Sequence, residues 1–153
     1  MPPHTRIEIM APAGSFESLA AALQGGADSV YFGVGKLNMR SRATANFAEE
    51  DLPEIVARCH EAGAKAYLTL NIIVYDEELE AVRNLCAVAK AAGVDAVIAS
   101  DLAVITHAHS IGLEVHMSVQ ANVCNMASVR FYAQYAVVVV LARELTLAQI
   151  RRI

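Results

Sequence analysis

The sequence predicts an α/β protein with a TIM-barrel-like parallel (β/α) repeat, of which about six of the eight units of a complete barrel are present. Three observations lead to this fold class. Strand-like and helical segments alternate along the whole chain, the strands are never joined by two-residue turns, and several strands carry one apolar and one polar face. Alternation of this kind implies parallel strands that are connected by right-handed crossovers.

The strands are predicted from short runs that are either alternating or continuously apolar, as expected for half-buried and buried strands. They fall at residues 7–11, 30–34, 65–72, 95–100, 115–122 and 137–142. The longest alternation is 115–122, in which His116, Ser118 and Gln120 share one face.

A helical pattern follows each strand, with apolar residues at helical spacing and a polar residue at its start. The helices are predicted at 15–25, 49–62, 76–93, 101–111 and 127–135, and a last one begins at residue 146. Ser15 and Asp101 are positioned as caps, and Thr146 with Gln149 has the spacing of a capping box.

The polar strand faces favour a barrel over an open doubly wound sheet, which remains the alternative. In an open sheet helices cover both faces, so the central strands should be apolar on both sides. A barrel with an active site tolerates polar groups in its interior near one end. The polar face here is predicted to contain Tyr31, Tyr67, Thr69, Asn71, His116, Ser118 and Gln120.

The chain is too short to form a closed barrel, because a complete barrel of this type takes about 250 residues whereas this chain has 153. We therefore expect residues 1–153 to be the amino-terminal part of a single barrel domain in a longer protein. The first and last strands should then present unpaired edges, the last being rich in valine, and we expect self-association through them.

The composition is that of an ordinary α/β protein, with 56% hydrophobic residues, 18% charged residues and a net charge of −4. The sequence contains neither a membrane-length apolar run nor a secretory leader, so no membrane partner and a cytoplasmic location are expected. Cys59, Cys86 and Cys124 lack paired spacing and are predicted to be free thiols, and no metal site is expected within the chain.

Polar residues gather where the predicted strands end, which is the end of a barrel that carries its chemistry. Asn38, Arg40 and Arg42 are spaced two apart after the second strand, so an extended segment would direct them the same way. Arginine there suits bidentate binding of a carboxylate or phosphate, although solvated loop charges are an equal alternative.

Other residues at these strand ends are candidate ligand contacts or have structural explanations. Asp101 is better explained as a helix cap than as a catalytic group. His116 is better explained as a buried histidine that Tyr67 or Glu8 satisfies. Ser118 shares its face, but nothing around it makes a nucleophile elbow. The remaining candidate contacts are Asn71, Gln120, Asn122, Arg143 and Glu144.

Six ordered motifs together resemble the amino-terminal barrel of the collagenase-like peptidase family of unassigned catalytic type. They are MAPAG at 10–14, ADSVYFG at 27–33, NMRSR at 38–42, YLTLN at 67–71, SVQAN at 118–122 and LAREL at 141–145. The family includes proteins that hydroxylate a transfer RNA uridine using prephenate, a ribosomal RNA hydroxylase, and a pair acting in oxygen-independent ubiquinone synthesis. The sequence departs from the family pattern at two places. Cys124 stands where family members often have threonine, and residues 135–138 lack the glycine and the basic residue that are usual before the sixth strand.

The resemblance implies that some of the matched polar positions line a substrate site, without assigning a catalytic residue. These positions are Asn38, Arg40, Arg42, Asn71, Gln120, Asn122, Arg143 and Glu144. It also implies an iron–sulfur cluster held by cysteines further along a complete protein, since thiolates are its usual ligands.

Three functional classes remain open, the first two from the resemblance and the third from the unpaired sheet edges. The first is part of an RNA-hydroxylating enzyme that takes RNA and a small dicarboxylate, this portion alone being expected to be inactive. The second is a peptidase that takes a peptide. The third is a noncatalytic fragment or partner subunit.

Overall fold

The strands form one six-stranded parallel sheet in which each strand pairs with the strands before and after it in the sequence. The computed structural model describes residues 7–37 and 47–153. The strands are β1 (Met10–Ala13), β2 (Ser29–Phe32), β3 (Lys65–Leu70), β4 (Ala96–Ala99), β5 (Val115–Met117) and β6 (Val138–Val139).

This strand order separates the two predicted architectures. A doubly wound sheet reverses its strand order at a switch point, whereas a barrel adds strands in one direction. The order here is β1-β2-β3-β4-β5-β6 without reversal, so the predicted barrel-type repeat is confirmed. Within the described residues β1 and β6 do not pair with each other, and the barrel is therefore open.

Six α-helices in the described residues connect or follow the strands, and several begin at the predicted caps. They are α1 (Phe16–Gln24), α2 (Leu52–Glu61), α3 (Leu79–Ala92), α4 (Leu102–Ser110), α5 (Met126–Tyr132) and α6 (Leu147–Ile150). The Ser15 side chain accepts a hydrogen bond from the backbone N–H of Ser18, and Thr146 with Gln149 forms the predicted capping box. These bonds satisfy amide groups that a helix start leaves unpaired.

The hydrophobic core lies between the outer face of the sheet and the first four helices. Leu19, Ile55, Leu85 and Ile105 come from α1 to α4 in turn and are buried. They belong to the same cluster as strand residues such as Leu68. Complete burial of one such side chain contributes about 1.5 to 3 kcal/mol, so this layer is the main source of stability.

The outermost strands differ from their predictions. The first strand is Met10–Ala13 rather than 7–11, and Pro12 pairs with Tyr31 within it. Proline is tolerated there because an edge strand leaves one row of backbone groups unpaired. The last strand has only two residues, although an isolated bridge between Val123 and Leu141 continues the pairing.

The fifth strand is also shorter than predicted, because the chain turns after Met117. The Ser118 hydroxyl accepts a hydrogen bond from the Gln120 amide, and Val119–Ala121 forms a 3₁₀ turn. Asn122 closes this turn with a φ of 50°, in the left-handed region that asparagine tolerates. The predicted alternation through 115–122 is therefore wrong beyond Ser118.

No helix in residues 7–37 and 47–153 is long and apolar enough to span a membrane.

Candidate functional site in the barrel interior

The inner face of the sheet lines a cavity of about 380 Å³ that is open to solvent, since Met10 and Val138 in its lining are exposed. Six of the seven residues predicted for the polar strand face line it, namely Tyr31, Tyr67, Thr69, Asn71, His116 and Ser118. The seventh, Gln120, does not line this cavity, because the turn after Ser118 breaks the alternation and directs Val119 inward in its place. Apart from this position, the predicted division of the strands into two faces is confirmed.

The middle of the cavity is one level of side chains from four neighbouring strands. Thr69 pairs in register with Ile98, Ile98 with His116, and His116 with Val138. Residues in register on adjacent strands point to the same side, so all four line the cavity. The Thr69 hydroxyl donates to the Phe32 carbonyl at 3.0 Å and is thereby fixed.

A hydrogen bond between Tyr67 and Glu8 lies at the amino end of the cavity. The buried Tyr67 hydroxyl donates to Oε1 of Glu8 at 2.8 Å. The neighbouring Ser29 hydroxyl and this hydrogen bond lower the pKa of Glu8. Burial, followed by the bond to Glu8, raises the pKa of Tyr67, so the pair consists of a carboxylate and a neutral phenol at neutral pH.

His116 lies beside this pair but is satisfied by another residue. Its Nε2–H donates to Oε1 of Glu114 at 2.9 Å, and its ring contacts the Tyr67 ring edge-on at 4.7 Å between centroids. The prediction that Tyr67 or Glu8 satisfies the imidazole by hydrogen bonding is therefore wrong, although Tyr67 packs against it. The relevant sequence signal was the two-residue spacing, which places Glu114 and His116 on one face of a strand.

The predicted ligand contacts do not all meet at one place. Asn71 lines the interior cavity, and with Gln120 it also lines a depression on the rim at the carboxyl ends of the strands. Asn122 is exposed and follows the 3₁₀ turn. Arg143 and Glu144 are exposed after β6 and line neither the cavity nor this depression.

The predicted contacts Asn38, Arg40 and Arg42 lie outside the described residues. On either side of that segment Val34 and Phe47 form a parallel bridge, and Phe47 packs edge-on against Phe16 and Phe32. A role in substrate binding stays a prediction for all eight candidate residues.

Asp101 serves as a helix cap, as predicted. Its Oδ1 accepts the Ala103 amide at 2.8 Å and its Oδ2 accepts the Val74 amide at 3.2 Å. The carboxylate therefore fixes both the start of α4 and the loop that follows β3.

The three cysteines do not fit an iron–sulfur cluster. Cys59 and Cys86 are buried in α2 and α3, whereas Cys124 is exposed on the rim. Burial raises the pKa of Cys59 and of Cys86 to about 11, which opposes the thiolate form that cluster ligation requires. Over the part of the chain that the structure describes, no three His, Cys, Asp or Glu side chains are grouped to hold a metal ion.

Sequence reasoning missed several residues of the cavity. Met10, Ile98, Val119, Val138 and Val140 line it together with the polar set. The prediction also left out Ser29, which is buried and does not itself line the cavity, because the second strand was predicted to begin one residue later, at Val30. The even spacing of Ser29 from Tyr31 would have placed it on the same face.

A comparison with models of protein families shows to which family the chain belongs. The model of peptidase family U32 matches residues 14–153. The chain belongs to peptidase family U32. The resemblance inferred from the six motifs is thereby confirmed.

The names of the curated relatives indicate different activities. A collagenase of Porphyromonas gingivalis is 51% identical over 146 residues, which cover 95% of this chain and 35% of the relative. The tRNA hydroxylation protein P of Escherichia coli is 35% identical over 150 residues, which cover 95% of this chain and 33% of that protein. The chain thus spans about a third of the length of these relatives.

A solved U32 structure has the same fold. The U32 peptidase Mk0906 superposes with a TM-score of 0.74 at 14% sequence identity, over 92% of this chain and 60% of that one. Six parallel strands that alternate with helices are therefore a shared feature of this part of the U32 fold.

Proposed function

We propose that this chain is the substrate-binding amino-terminal part of a U32 enzyme that hydroxylates a base in RNA. The observation that carries the proposal is the interior cavity, which combines aromatic rings with hydroxyl, amide and imidazole groups. Its volume of about 380 Å³ is within the range of small-ligand pockets, roughly 300 to 1,000 Å³. Enzymes that act on a base take it out of the stack and into a pocket of this kind.

The side chains available to a base differ along the cavity. Asn71 and Ser118 lie at the carboxyl ends of β3 and β5, where hydrogen bonds can read the edge of an entering base. The Tyr31 ring lies further inside and suits stacking on a planar ligand. Both kinds of contact are typical of proteins that recognise single-stranded RNA.

The loops at the carboxyl ends of the strands supply the proposed contacts to phosphate or to a small dicarboxylate co-substrate. In the sequence, three of these residues follow β2, two follow β5 and two follow β6. They are Asn38, Arg40 and Arg42 after β2, Gln120 and Asn122 after β5, and Arg143 and Glu144 after β6. In the complete protein an iron–sulfur cluster outside this chain would supply the redox chemistry. The proposed place of action is the cytoplasm.

The related tRNA hydroxylation protein supports a transfer RNA substrate. The decisive experiment deletes the gene of the full-length protein from its host and measures transfer RNA nucleosides by mass spectrometry. We expect one nucleoside to lose the mass of a single oxygen atom and wild-type protein to restore it. Asn71→Ala should restore it poorly, whereas Arg83→Ala, on the exposed side of α3, should restore it fully. An unchanged nucleoside profile would refute the proposal.

Peptide hydrolysis is the second candidate, which the collagenase relative favours by its higher identity. The described contacts support it less, because the Ser118 hydroxyl accepts the Gln120 amide while His116 donates to Glu114. Neither arrangement activates a nucleophile. Cleavage of gelatin by metal-free full-length protein, together with unchanged nucleosides, would favour this candidate.

A role as a partner subunit is the third candidate, and the ends of the sheet favour it. Ile7 and Ile9 beside β1 and Val137 beside β6 are exposed apolar residues. Uncovered strand edges with such residues promote pairing with another chain. Light scattering of the purified chain tests this: concentration-dependent assembly that Val137→Lys weakens would support it, and a monomer at high concentration would count against it.

A further inference from the structure

The depression on the rim beside the cavity is not occupied by the base that is proposed to enter the cavity. It has a volume of about 330 Å³ and lies at the carboxyl ends of β3, β4 and β5. We call it the rim depression and define it by the residues that line it, which are Asn71, Ile72, Ile73, Ser100, Asp101 and Gln120. Asn71 also lines the interior cavity, so the two spaces adjoin each other.

Two of the lining residues are apolar, and one of them is largely exposed. Ile72 and Ile73 follow β3 closely in the sequence, and Ile73 is 73% exposed to solvent. Covering an exposed apolar side chain with an apolar surface is favourable, because it removes both surfaces from water. The rim depression therefore favours a ligand that has an apolar face.

Two other lining residues can bind a ligand through hydrogen bonds. The Ser100 hydroxyl and the Gln120 side-chain amide form no hydrogen bond with any residue in 7–37 and 47–153. A hydroxyl and a primary amide can each donate and accept. A glutamine amide can bind the edge of a base through two hydrogen bonds at once. Together with the apolar residues, these groups suit the face and the edge of a nucleobase.

The charge of the rim depression opposes an anion as its occupant. None of the described residues that line it is a cation, and Asp101 contributes a carboxylate. The Asp101 side chain also accepts the Ala103 amide at the start of α4, so this amide is not open to a bound anion. A phosphate or a dicarboxylate in the rim depression would therefore meet a negative group. The Gln120 amide is thus better placed to contact a neutral base than an anionic co-substrate.

We infer that the rim depression binds the nucleotide next to the one whose base enters the cavity, with Ile73 against the face of its base and Ser100 and Gln120 at its edge. This inference rests on the proposed function, because it requires a base in the cavity. Successive nucleotides are joined by a single phosphate linkage, so two adjoining spaces that share Asn71 can hold two successive bases. Enzymes that act on an extruded base select their sequence context through contacts to the flanking nucleotides. The rim depression would accordingly contribute to the choice of the RNA sequence that is modified.

The test compares the binding of RNA dinucleotides to the purified full-length protein by calorimetric titration. Each of the four homodinucleotides is compared with two matched molecules, in which either the 5′ base or the 3′ base is replaced by hydrogen. The matched molecules keep the phosphate and both sugars and can fill only one of the two spaces with a base. We expect at least one dinucleotide to bind about fivefold or more tightly than both of its abasic forms, because the second base adds an apolar contact and a hydrogen bond.

Variants assign this gain in affinity to the rim depression. Ile73→Ala and Gln120→Ala should each reduce the gain from the second base at least about twofold and leave the affinity of the abasic forms unchanged. Both side chains are exposed, so both variants should fold. Tyr31→Ala, in the interior cavity, should instead weaken the dinucleotide and its abasic forms alike. Val88→Ala, which shortens an exposed side chain of α3, is the matched control and should change neither affinity.

Three results would overturn the inference. The first is equal affinity of every dinucleotide and its abasic forms, and the second is a gain that neither Ile73→Ala nor Gln120→Ala reduces. The third is the absence of dinucleotide binding at millimolar concentration. The proposed function is tested by a separate measurement, the nucleoside profile of the deletion strain, so its failure can be distinguished from the failure of this inference.

Discussion

The hydroxyl of Tyr67 lies 2.8 Å from Oε1 of Glu8 and connects two positions that are 59 residues apart. Tyr67 belongs to β3, whereas Glu8 precedes β1, so this bond reaches across the intervening strand β2. It therefore joins the outermost part of the sheet to its buried centre on the inner face.

Tyr67→Phe should lower the free energy of unfolding by about 1 kcal/mol at pH 7, because one hydrogen bond to a carboxylate is lost. The pKa of Glu8 is lowered in the folded state, so its contribution is present above the ordinary value of 4.5 and is lost as the pH falls through the folded value. The difference between the variant and wild type should thus shrink at pH 3. Urea denaturation at both pH values measures it, with the exposed Tyr75→Phe as the control.

Asp95 should be a stability residue at the amino end of the sheet. One of its oxygens accepts both the Ala66 amide at 2.7 Å and His60 Nε2–H at 2.9 Å. Asp95→Ala leaves the amide of a buried residue unpaired and should reduce stability by about 1 to 3 kcal/mol. Asp95→Asn retains an acceptor oxygen and should lose less. Equal losses of stability in both variants would show that the hydrogen bond from the Ala66 amide is not the cause.

Phe47 should anchor the chain on the far side of the segment that contains Arg40 and Arg42. It is 4% exposed and contacts the Phe16 and Phe32 rings at centroid distances of 5.2 and 6.0 Å. Phe47→Ala should reduce the free energy of unfolding by about 3 to 5 kcal/mol. Phe131→Ala, at a residue 47% exposed, is the control and should lose much less. Similar losses in a chemical denaturation series would contradict this packing.

Arg40→Ala and Arg42→Ala should each weaken the binding of a small dicarboxylate such as malonate while leaving the fold intact. Loss of one charge-assisted contact should reduce the binding free energy by about 1.5 to 3 kcal/mol. Calorimetric titration measures this effect, and Arg83→Ala is a control for the loss of one exposed positive charge. Unchanged affinity in both variants would mean that the two arginines are solvated loop charges.

Thiol reactivity should distinguish the three cysteines. Burial raises the pKa of Cys59 and of Cys86 to about 11, and both side chains are inaccessible, whereas Cys124 is exposed. A disulfide reagent at pH 7.5 should therefore modify one thiol of the native chain rapidly and all three after denaturation. Cys124→Ser should abolish the rapid phase. Rapid modification of a second thiol would indicate that a helix opens readily.

The repeat and its inner face could be predicted because they depend on residue spacing. Thr69, Asn71 and His116 occupy the predicted face since side-chain alternation is a local property of any strand. The error at Gln120 arose where the Ser118 hydroxyl bonds the backbone and ends the strand. The hydrogen-bond partner of His116 could not be predicted from the sequence. Tyr67, Glu8 and Glu114 all lie near it in the fold, and strand periodicity does not say which of them forms the hydrogen bond.

The first strand shows a different limit. Ile7 and Ile9 form an alternating apolar pattern, yet pairing begins at Met10 and includes Pro12. Sequence alone excludes proline from a central strand, but it cannot say which strand is at the edge of a sheet.

The sequential strand order has a consequence for synthesis on the ribosome. Each strand pairs with the one translated just before it, so no strand has to wait for a distant segment to emerge. The growing chain can therefore add one strand and one helix at a time, and an arrest in translation would leave a shorter sheet with the same pairing.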